Sequence, residues 1–402
     1  MDRPRRRPRV LAIAYACHPA QGSEPGAGWG MVRAASEFAD CVVLTRPEHA
    51  TAVEAWRDSN GSESLRIVGV REPQWARAAR RNRISAFLAY LAWLRRATPA
   101  AIDLVREEQF DLAWHVTYST YWLPSPVVNL GIPSLWGPVG GAVSTPRGLI
   151  SVLGLSGLLI EVLDFLAVRL MELLPATRRT WREASTKLVQ NTPTDRRLKG
   201  SGSAPSILLN HALFTEVPDH SGWNRSDYLL WVAAMEARKG PSLAVRALAR
   251  TPRNVCLVMV GDGPQRRAMG RLSERLGVSD RIDFRGRLPR NEVHDLMSQA
   301  AGVIFTGLRE EGGLALAEAM LLGSPIVVLG HGGARTIAEM GTDKSRIAII
   351  DPTDVGETYR HIADAMTQLV ENPPTSRQPL LDRPSAIDRL ERAFRAATVH
   401  NG

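Results

Sequence analysis

The sequence has few of the features that stabilise secreted domains or build metal centres. Its 402 residues include three cysteines, Cys17, Cys41 and Cys256, which are too few and too scattered for a disulfide framework or a zinc site. No secretion signal is recognisable, because the apolar run after the basic N-terminus ends near residue 16. We therefore expect a protein of a reducing compartment, the cytoplasm.

Long hydrophobic runs free of charge are also missing. The most apolar stretch, 149–174, contains Glu161, Asp164, Arg169 and Glu172, and charges inside a bilayer are costly. We expect this stretch to form buried or interfacial helices rather than a membrane span.

Lysine is scarce: the chain has four lysines and 46 arginines, and its formal net charge is +9. Arginine binds phosphate groups well, although a GC-rich genome would produce the same bias. A basic nucleic-acid-binding protein is an alternative, but it would require basic and aromatic residues clustered on one face. The arginines are spread along this chain, so we expect no nucleic-acid partner.

Short apolar runs alternate with helical patterns along most of the chain. Uninterrupted apolar runs are typical of strands buried on both faces of a parallel sheet. The predicted strands are 10–15, 41–45, 65–70, 112–116, 133–136, 187–190, 207–210, 228–233, 255–260, 281–284, 302–306, 326–329 and 346–350. This alternation predicts an α/β protein with two doubly wound, Rossmann-like domains.

The alternation is interrupted once, by a polar and turn-rich segment. We therefore predict an N-terminal Rossmann-like domain over 1–211, a hinge at 212–227, a C-terminal Rossmann-like domain over 228–375, and a helix within 376–402 that packs back on the N-terminal domain. Ligands of such sheets bind at the carboxyl ends of the strands. We expect the two domains to face each other across a ligand-binding cleft.

The segment 305–320 carries the clearest functional pattern. A strand is followed by a turn with Glu310 and Glu311, then by Gly312, Gly313 and a helix that contains Glu318. A helix N-terminus binds anions such as phosphate, and carboxylates beside it suit the hydroxyl groups of a ribose or a sugar. Alternatively, the first two glutamates only satisfy the helix N-terminus, but Glu318 lies in an apolar stretch and favours a polar ligand.

Two more turns of the C-terminal half follow predicted strands. One contains Arg238 and Lys239, which either face the same cleft or form a solvated turn. The other contains Gly261, Asp262 and Gly263. It does not continue into G-x-G-x-x-G, so the dehydrogenase fingerprint is absent.

The N-terminal half contains two glycine-rich segments and one histidine of interest. Segment 22–30 has four glycines, including Gly26 and Gly28, and we expect a loop whose backbone wraps a ligand. Segment 136–142 follows a predicted strand in the same way. His115 ends another strand, where it is either a hydrogen-bonded core residue or part of the cleft.

Together, these motifs resemble the family-4 (glycosyltransferase group 1) retaining glycosyltransferases, which have the two-domain GT-B fold. The shared pattern is a Lys-Gly turn, V-G-D-G-P, F-x-G, two glutamates separated by seven residues, and a Gly-Gly pair. These elements stand at 239–240, 260–264, 284–286, 310–318 and 332–333. The N-terminal G-S-E-P-G-x-G-W and the later W-G-P-V-G-G resemble a bacterial subgroup of that family.

The resemblance implies an enzyme that moves a sugar from a nucleoside-diphosphate sugar to a hydroxyl acceptor. It implies catalytic roles for Lys239 on the donor diphosphate and for Glu310 and His115 beside the donor sugar. It also implies that Glu318 binds the ribose and that Arg238 assists Lys239. Further donor-binding positions that it implies are Gly26, Gly28, Gly261, Asp262, Gly263, Arg285, Gly286, Gly313, Leu314 and Ala315.

No Asp-x-Asp occurs in the sequence. That motif holds a divalent ion in the metal-dependent glycosyltransferase fold, so we expect neither a metal nor a resident cofactor here. The resemblance implies that Lys239, Arg238 and a helix dipole neutralise the leaving diphosphate. It also implies retention at the anomeric carbon, because the acceptor attacks the face that the nucleotide leaves and the departing phosphate serves as base.

Three positions depart from the family pattern. Ala234 stands where an arginine is usual. In the E-G-F-G motif, Glu311 replaces the first glycine and Gly312 replaces the aromatic residue. We expect these departures to lower or alter the donor preference rather than abolish activity.

The acceptor side is less defined by sequence. Apolar residues of 84–94 recur on one helical face, flanked by Arg80, Arg81, Arg83, Arg95 and Arg96. This pattern is typical of a membrane-surface helix, and equally of a helix that covers the N-terminal sheet. The expected acceptor is a glycan, a lipid-linked molecule or a small molecule, with peripheral contact to the inner membrane surface. A sugar-nucleotide epimerase of the same fold is the alternative enzyme.

Overall fold

The computed structural model describes residues 6–79, 83–202, 205–217, 226–374 and 377–399. These residues form two parallel sheets with helices on their faces. The helices are α1 (Ser23–Ala35), α2 (Pro47–Asn60), α3 (Gln74–Ala79), α4 (Arg83–Glu107), α5 (Gly154–Glu172), α6 (Pro175–Glu183), α7 (Thr192–Leu198), α8 (Pro241–Leu248), α9 (Arg266–Arg275), α10 (Arg290–Gln299), α11 (Leu314–Leu321), α12 (Gly332–Glu339), α13 (Val355–Glu371) and α14 (Arg383–Val399).

The N-terminal sheet has seven strands, and all of its strand pairs are parallel. They are β1 (Arg9–Ile13), β2 (Asp40–Thr45), β3 (Leu65–Gly69), β4 (Leu112–His115), β5 (Ser134–Val139), β6 (Thr186–Val189) and β7 (Ser206–Leu208). Their spatial order is β3-β2-β1-β4-β5-β6-β7. The order reverses between β1 and β4, which leaves a crevice at the carboxyl ends of these strands.

The C-terminal sheet repeats this arrangement with six parallel strands. They are β8 (Tyr228–Val232), β9 (Cys256–Val260), β10 (Ile282–Gly286), β11 (Gly302–Phe305), β12 (Ile326–Leu329) and β13 (Ile347–Ile350). Their order is β10-β9-β8-β11-β12-β13, so the reversal lies between β8 and β11. The Lys239 turn follows β8 and the Glu310 turn follows β11, which places both at this second crevice.

Each of the thirteen strands overlaps a run predicted from sequence. The predicted α/β fold with two doubly wound, Rossmann-like sheets is confirmed. The apolar runs were informative because helices cover both faces of each sheet, and strands such as β4 and β12 are buried along their whole length.

The last helix, α14, returns to the N-terminal sheet. The ring of Phe394 lies 5.1 Å from the ring of Trp114 in β4 and 5.2 Å from that of Phe38, and Leu390 and Ala397 are buried in the same core. In the predicted hinge at 212–227, residues 218–225 lie outside the described residues.

Leu149 and Leu153 are buried, but most of the stretch 149–174 is not, contrary to one part of the prediction. α5 exposes most of its large apolar side chains. Leu155, near its start, is 89% exposed, and Leu170, near its end, is 65% exposed. Among the described residues, helix Arg147–Glu172 is long and apolar enough to cross a membrane by length and composition alone. Its burial is low because its contacts with the rest of the protein are confined to one side, where Glu161 and Asp164 form hydrogen bonds and Val168 and Met171 pack against the core.

α4 covers the N-terminal sheet, which is the second of the two interpretations of the apolar pattern in 84–94. Phe87, Leu91 and Leu94 pack against the core formed by β1, β2 and β4, whereas Leu88 is exposed. Arg80 and Arg81 of the predicted basic flank lie outside the described residues.

Candidate active site

A cavity of about 530 Å³ lies between the two halves of the chain. The N-terminal half lines it with Ser23, Glu24, Tyr118, Ser119, Thr120, Trp122, Gly140, Gly141, Gln190 and His211. The C-terminal half lines it with Arg238, Lys239, Arg309, Glu310, Glu311, Gly312, Gly313 and Leu314. The structure therefore brings five predicted site residues together here, namely Arg238, Lys239, Glu310, Gly313 and Leu314.

Lys239 and Glu310 form an ion pair inside this cavity. Lys239 ends a short 3₁₀ turn, Ala237–Lys239, and its Nζ donates a hydrogen bond to Oε2 of Glu310. Both side chains are largely buried. Burial opposes ionisation of Glu310, but Lys239, Arg238 and the Gly313 N–H together hold its pKa below the ordinary value. The carboxylate is therefore charged at neutral pH.

α11 begins directly at the cavity. Gly313 precedes it with a φ of +75°, a left-handed conformation that favours glycine. Its N–H donates to Oε1 of Glu310 at 3.2 Å. The N-terminal N–H groups of a helix have no partner within the helix, so this end of α11 is suited to an anion beside Lys239.

Gly312 leaves space for a histidine from the other half. A Cβ at this position would lie 2.4 Å from Nε2 of His211. The histidine ring therefore occupies space that an aromatic side chain at 312 would enter. Burial lowers the pKa of His211, although Glu24 and Glu310 partly oppose that shift. Sequence analysis missed His211, because a lone histidine at a predicted domain boundary carries no recognisable signal.

Glu311 joins the two halves of the chain. Its carboxylate accepts hydrogen bonds from the Val143 N–H at 3.1 Å and from Nδ2 of Asn191 at 2.8 Å. Burial raises the pKa of Glu311, and these hydrogen bonds offset only part of that effect. Glu311, which stands where the family pattern has a glycine, thus has a structural role at the domain boundary.

Segment 22–30 is the start of α1 rather than a ligand-wrapping loop, so that prediction is wrong. The glycines allow close packing of the helix: a Cβ on Gly28 would lie 2.0 Å from the Ala16 carbonyl oxygen, and one on Gly26 would lie 2.3 Å from that of Gln21. The residues of this segment that line the cavity are Ser23 and Glu24.

Glu24 connects the N-terminal wall of the cavity to a second loop. Its Oε1 accepts the N–H of Tyr118 at 2.9 Å. Tyr118 and Ser23 both line the cavity and both have a positive φ, 57° and 58°. Such values are uncommon outside glycine and tend to occur at functional sites.

Two predicted donor-binding segments, 261–263 and 285–286, lie next to each other in the C-terminal half. The Gly261 N–H donates to the Gly286 carbonyl at 2.7 Å, and Oδ1 of Asp262 accepts the N–H of Gly263 at 2.7 Å. Arg285 is exposed and pairs with Asp283. Residues 261–263 follow β9, whereas Arg285 and Gly286 are the last residues of β10, and neither segment lines the 530 Å³ cavity.

Glu318 is buried in the first turns of α11 and faces α10. Its Oε1 accepts hydrogen bonds from Nε and Nη2 of Arg290 at 3.0 and 2.7 Å, and its Oε2 lies 3.7 Å from Nε2 of His294. Burial opposes ionisation, but His294 and Arg290 hold the pKa of Glu318 below the ordinary value. The structure thus keeps this carboxylate charged, although it does not line the cavity.

His115 does not line the cavity, so its contact with the donor sugar stays a prediction. Its ring is buried, with Nε2 at 3.2 Å from the Tyr90 hydroxyl and Nδ1 at 2.9 Å from Oγ of Ser125. Burial lowers its pKa to about 4, although a Thr117 backbone hydrogen bond partly opposes that shift. These contacts are those of the alternative interpretation, a hydrogen-bonded core histidine.

Arg309 is a cavity residue that sequence analysis missed. It lies between the catalytic candidates and α5, and its Nη1 donates to Glu161 at 3.2 Å and to Asp164 at 3.1 Å. One arginine among 46 gives no sequence signal of its own. Its position matters because it connects the Glu310 turn to a helix of the other half.

Two Rossmann-like parallel sheets that share a cleft lined by a basic turn and a helix N-terminus define a protein of the GT-B fold class. The solved structure of HepE from Anabaena, in complex with UDP and glucose, has the same fold, with a TM-score of 0.53 and 16% identity over 98% of this chain and 97% of that one. Residues 215–379 match the model of the glycosyl transferases group 1 family. This match covers the C-terminal sheet and 165 of the 402 residues.

The similar sequences cover only part of each protein. The 2-deoxystreptamine glucosyltransferase of Streptomyces kanamyceticus is 38% identical over 90 residues, which are 22% of this chain and 23% of that protein. The GDP-mannose-dependent alpha-(1-6)-phosphatidylinositol monomannoside mannosyltransferase of Mycolicibacterium smegmatis is 27% identical over 190 residues, which are 41% and 49% of the two chains. The chain thus matches less than half the length of either relative.

Proposed function

We propose that this protein is a retaining glycosyltransferase, which moves a sugar from a nucleoside-diphosphate sugar to a hydroxyl acceptor. The observation that carries the proposal is the Lys239–Glu310 ion pair at the N-terminus of α11, within a cavity that both halves line. A donor diphosphate requires cations and N–H groups, whereas its sugar requires hydrogen-bond acceptors. This cavity supplies both over a short distance.

Lys239, Arg238 and the start of α11 would hold the diphosphate and stabilise its charge as the glycosidic bond breaks. In the structure, Glu310 already holds the Lys239 ammonium in the cavity. Because Glu310 is ionised, it can accept hydrogen bonds from the hydroxyl groups of the transferred sugar. The acceptor hydroxyl would attack the face that the diphosphate leaves, with a departing phosphate oxygen as base.

The remaining donor contacts are assigned by position. Glu318 would bind the ribose from α11, and Arg285, Gly286 and the 261–263 turn would surround the base. The proposal requires a nucleotide sugar as co-substrate, but neither a metal ion nor a resident cofactor. The names of the two relatives, a glucosyltransferase and a mannosyltransferase, support hexose transfer.

The test is a panel of UDP-, GDP-, ADP- and TDP-sugars. A donor at about 100 times its dissociation constant should stabilise the fold by about 2.7 kcal/mol, which thermal unfolding detects. The matching donor is then incubated with candidate acceptors, and proton NMR determines the anomeric configuration of the product. Stabilisation by none of the donors would contradict the proposal, and an inverted product would contradict retention. Conversion of the donor to another sugar nucleotide without any acceptor would indicate an epimerase.

A further inference from the structure

α5 is oriented with its polar face inward and its apolar face outward. Of the fifteen large apolar side chains that are exposed among the described residues, eleven lie between Leu155 and Leu174. Leu155, Leu159, Leu166 and Leu170 recur at a spacing that places them on one side of the helix. An ordinary surface helix has the opposite orientation, so this face requires an explanation.

Polar contacts on the inner side fix this orientation. Glu161 accepts the Thr145 N–H at 3.1 Å, and both Glu161 and Asp164 accept hydrogen bonds from Arg309. At the end of the helix, Oε1 of Glu172 accepts the Tyr121 hydroxyl at 2.5 Å. Turning the apolar face inward would move these carboxylates to solvent and leave the part-buried Arg309 without its partners, which is unfavourable.

A basic cavity of about 560 Å³ adjoins α5. Phe165 and Val168 of the helix line it, together with the cations Arg169, Arg196, Arg197, Lys199 and Arg309. Glu161 and Asp164 also line it and pair with Arg309, whereas Arg169 and Arg197 share Glu172 and Lys199 pairs with Asp195 at the edge of the cavity. This basic cavity shares Gly141 and Arg309 with the donor cavity, so the two are neighbours.

We propose that α5 docks the protein on an anionic lipid surface, with its apolar face in the leaflet and the rim of the basic cavity against the headgroups. An apolar helix face beside several cations complements such a surface, because burial of apolar area and attraction to anionic lipid act together. Resting on the proposed function, the docking restricts the acceptor to a molecule within reach of a membrane.

Two other occupants of the same face fit the structure less well. A second copy of this chain would bring the same cations close to their own copies, and like charges at a contact are repulsive. A helix that crosses the bilayer would place Glu161 and Asp164 in hydrocarbon and would break their pairs with Arg309. Docking in the interface keeps these pairs intact.

Vesicle flotation tests the proposal with the full chain. We expect binding to vesicles of phosphatidylcholine with phosphatidylglycerol, and weaker binding to phosphatidylcholine alone. The double variant Leu159→Glu/Leu166→Glu should reduce the bound fraction by more than about tenfold, because charges in an interfacial apolar face are costly. If Leu159→Glu/Leu166→Glu disturbs folding, the milder variant Leu155→Ser/Leu170→Ser still tests the apolar face. We expect it to weaken vesicle binding to a smaller extent.

Two matched variants separate the contributions of the apolar face and of the cations. Leu88→Glu makes the same change at an exposed position of α4 and should float like the wild type. Arg196→Glu/Lys199→Glu should lose the preference for phosphatidylglycerol. Nucleoside-diphosphate affinity, measured by calorimetry without vesicles, should be the same in all of these variants, so that failure of docking is distinct from failure of the proposed function.

Several results would overturn the proposal. These are wild-type protein that does not float with either vesicle, α5 variants that float normally, and a loss of flotation in Leu88→Glu equal to that of the α5 variants. Resistance of the bound protein to carbonate extraction would show a membrane span instead. A dimer in analytical ultracentrifugation that Leu159→Glu/Leu166→Glu abolishes would show that a second copy covers the face.

Discussion

The side-chain amide of Asn191 donates a hydrogen bond to the Glu311 carboxylate across the boundary between the two halves, at 2.8 Å. The preceding residue, Glu310, turns the other way and pairs with Lys239. Two adjacent glutamates therefore have separate tasks. Glu311 joins the domains, whereas Glu310 holds the Lys239 side chain in the cavity. Substitutions of the two residues should therefore have different effects.

Glu311→Ala should destabilise the protein. The change leaves the Val143 N–H without its acceptor, at a cost of about 1–3 kcal/mol, and removes one of the two Glu311 oxygens that accept from the Asn191 amide. Glu311→Gln retains an acceptor oxygen and should cost less. Urea denaturation measures both, and a Glu311→Ala protein as stable as the wild type would contradict the inter-domain role.

Glu310→Gln should depress turnover and spare nucleoside-diphosphate affinity, because the carboxylate is assigned to the sugar rather than to the diphosphate. The measurement pairs calorimetry with single-turnover transfer, and Glu311→Gln serves as the neighbouring control. If Glu311→Gln is inactive while Glu310→Gln is normal, the assignment of the two glutamates is reversed.

Lys239→Ala should weaken nucleoside-diphosphate binding by about 1.5–3 kcal/mol, the contribution of a hydrogen bond to a charged group. It should also lower stability, because Glu310 would remain buried without its cation. The double variant Lys239→Ala/Glu310→Gln should recover the stability but not the affinity. Lys344→Ala, a lysine that donates to backbone carbonyls on α12, is the control. Unchanged affinity in Lys239→Ala would remove this residue from the site.

Glu318→Ala should weaken binding of free nucleoside diphosphate as well as of the complete donor, by about 1.5–3 kcal/mol. The reason is its assignment to the ribose, which both ligands contain. Its partner Arg290 provides the comparison, since Arg290→Ala removes the ion pair but retains the carboxylate. If both variants lose the same stability and neither loses affinity, Glu318 has a structural role only.

Stability at acid pH should depend on Glu310. Its pKa in the folded protein lies below the ordinary 4.5, so its contribution to the free energy of unfolding is complete above that pH and is lost as the pH falls through the folded pKa. The difference in unfolding free energy between wild type and Glu310→Gln should therefore shrink from about pH 5 downward. A difference independent of pH would contradict the shift.

Turnover should survive removal of divalent metal by EDTA. The sequence contains no Asp-x-Asp, and within the described residues no three His, Cys, Asp or Glu side chains form a metal-ligand group. Assays with EDTA and with added magnesium or manganese test this expectation. A strict requirement for either ion would contradict the proposed mechanism.

The sequence determined the strands and the positions of the main turns, because both depend on local pattern. Buried parallel strands must be apolar along their length, and the chain between them must reverse at glycine and polar residues. Hence the runs that become β8 and β11, and the turns with Lys239 and Glu310 that follow them, could be placed without coordinates. The order of the strands then puts these two turns at one crevice.

Only the tertiary structure decided which side chains meet. Glycines are compatible both with a ligand-binding loop and with a closely packed helix. In segment 22–30 they belong to a helix, in which they lie close to the carbonyl groups of Ala16 and Gln21. His115 forms hydrogen bonds with Tyr90 and Ser125 in the core, and His211 lies in the cavity against Gly312 of the other half. The outward apolar face of α5 was decided in the same way, since the pairs of Glu161 and Asp164 with Arg309 span more than 140 residues. Contacts between residues so distant depend on how the two sheets face each other, which no local pattern of residues encodes.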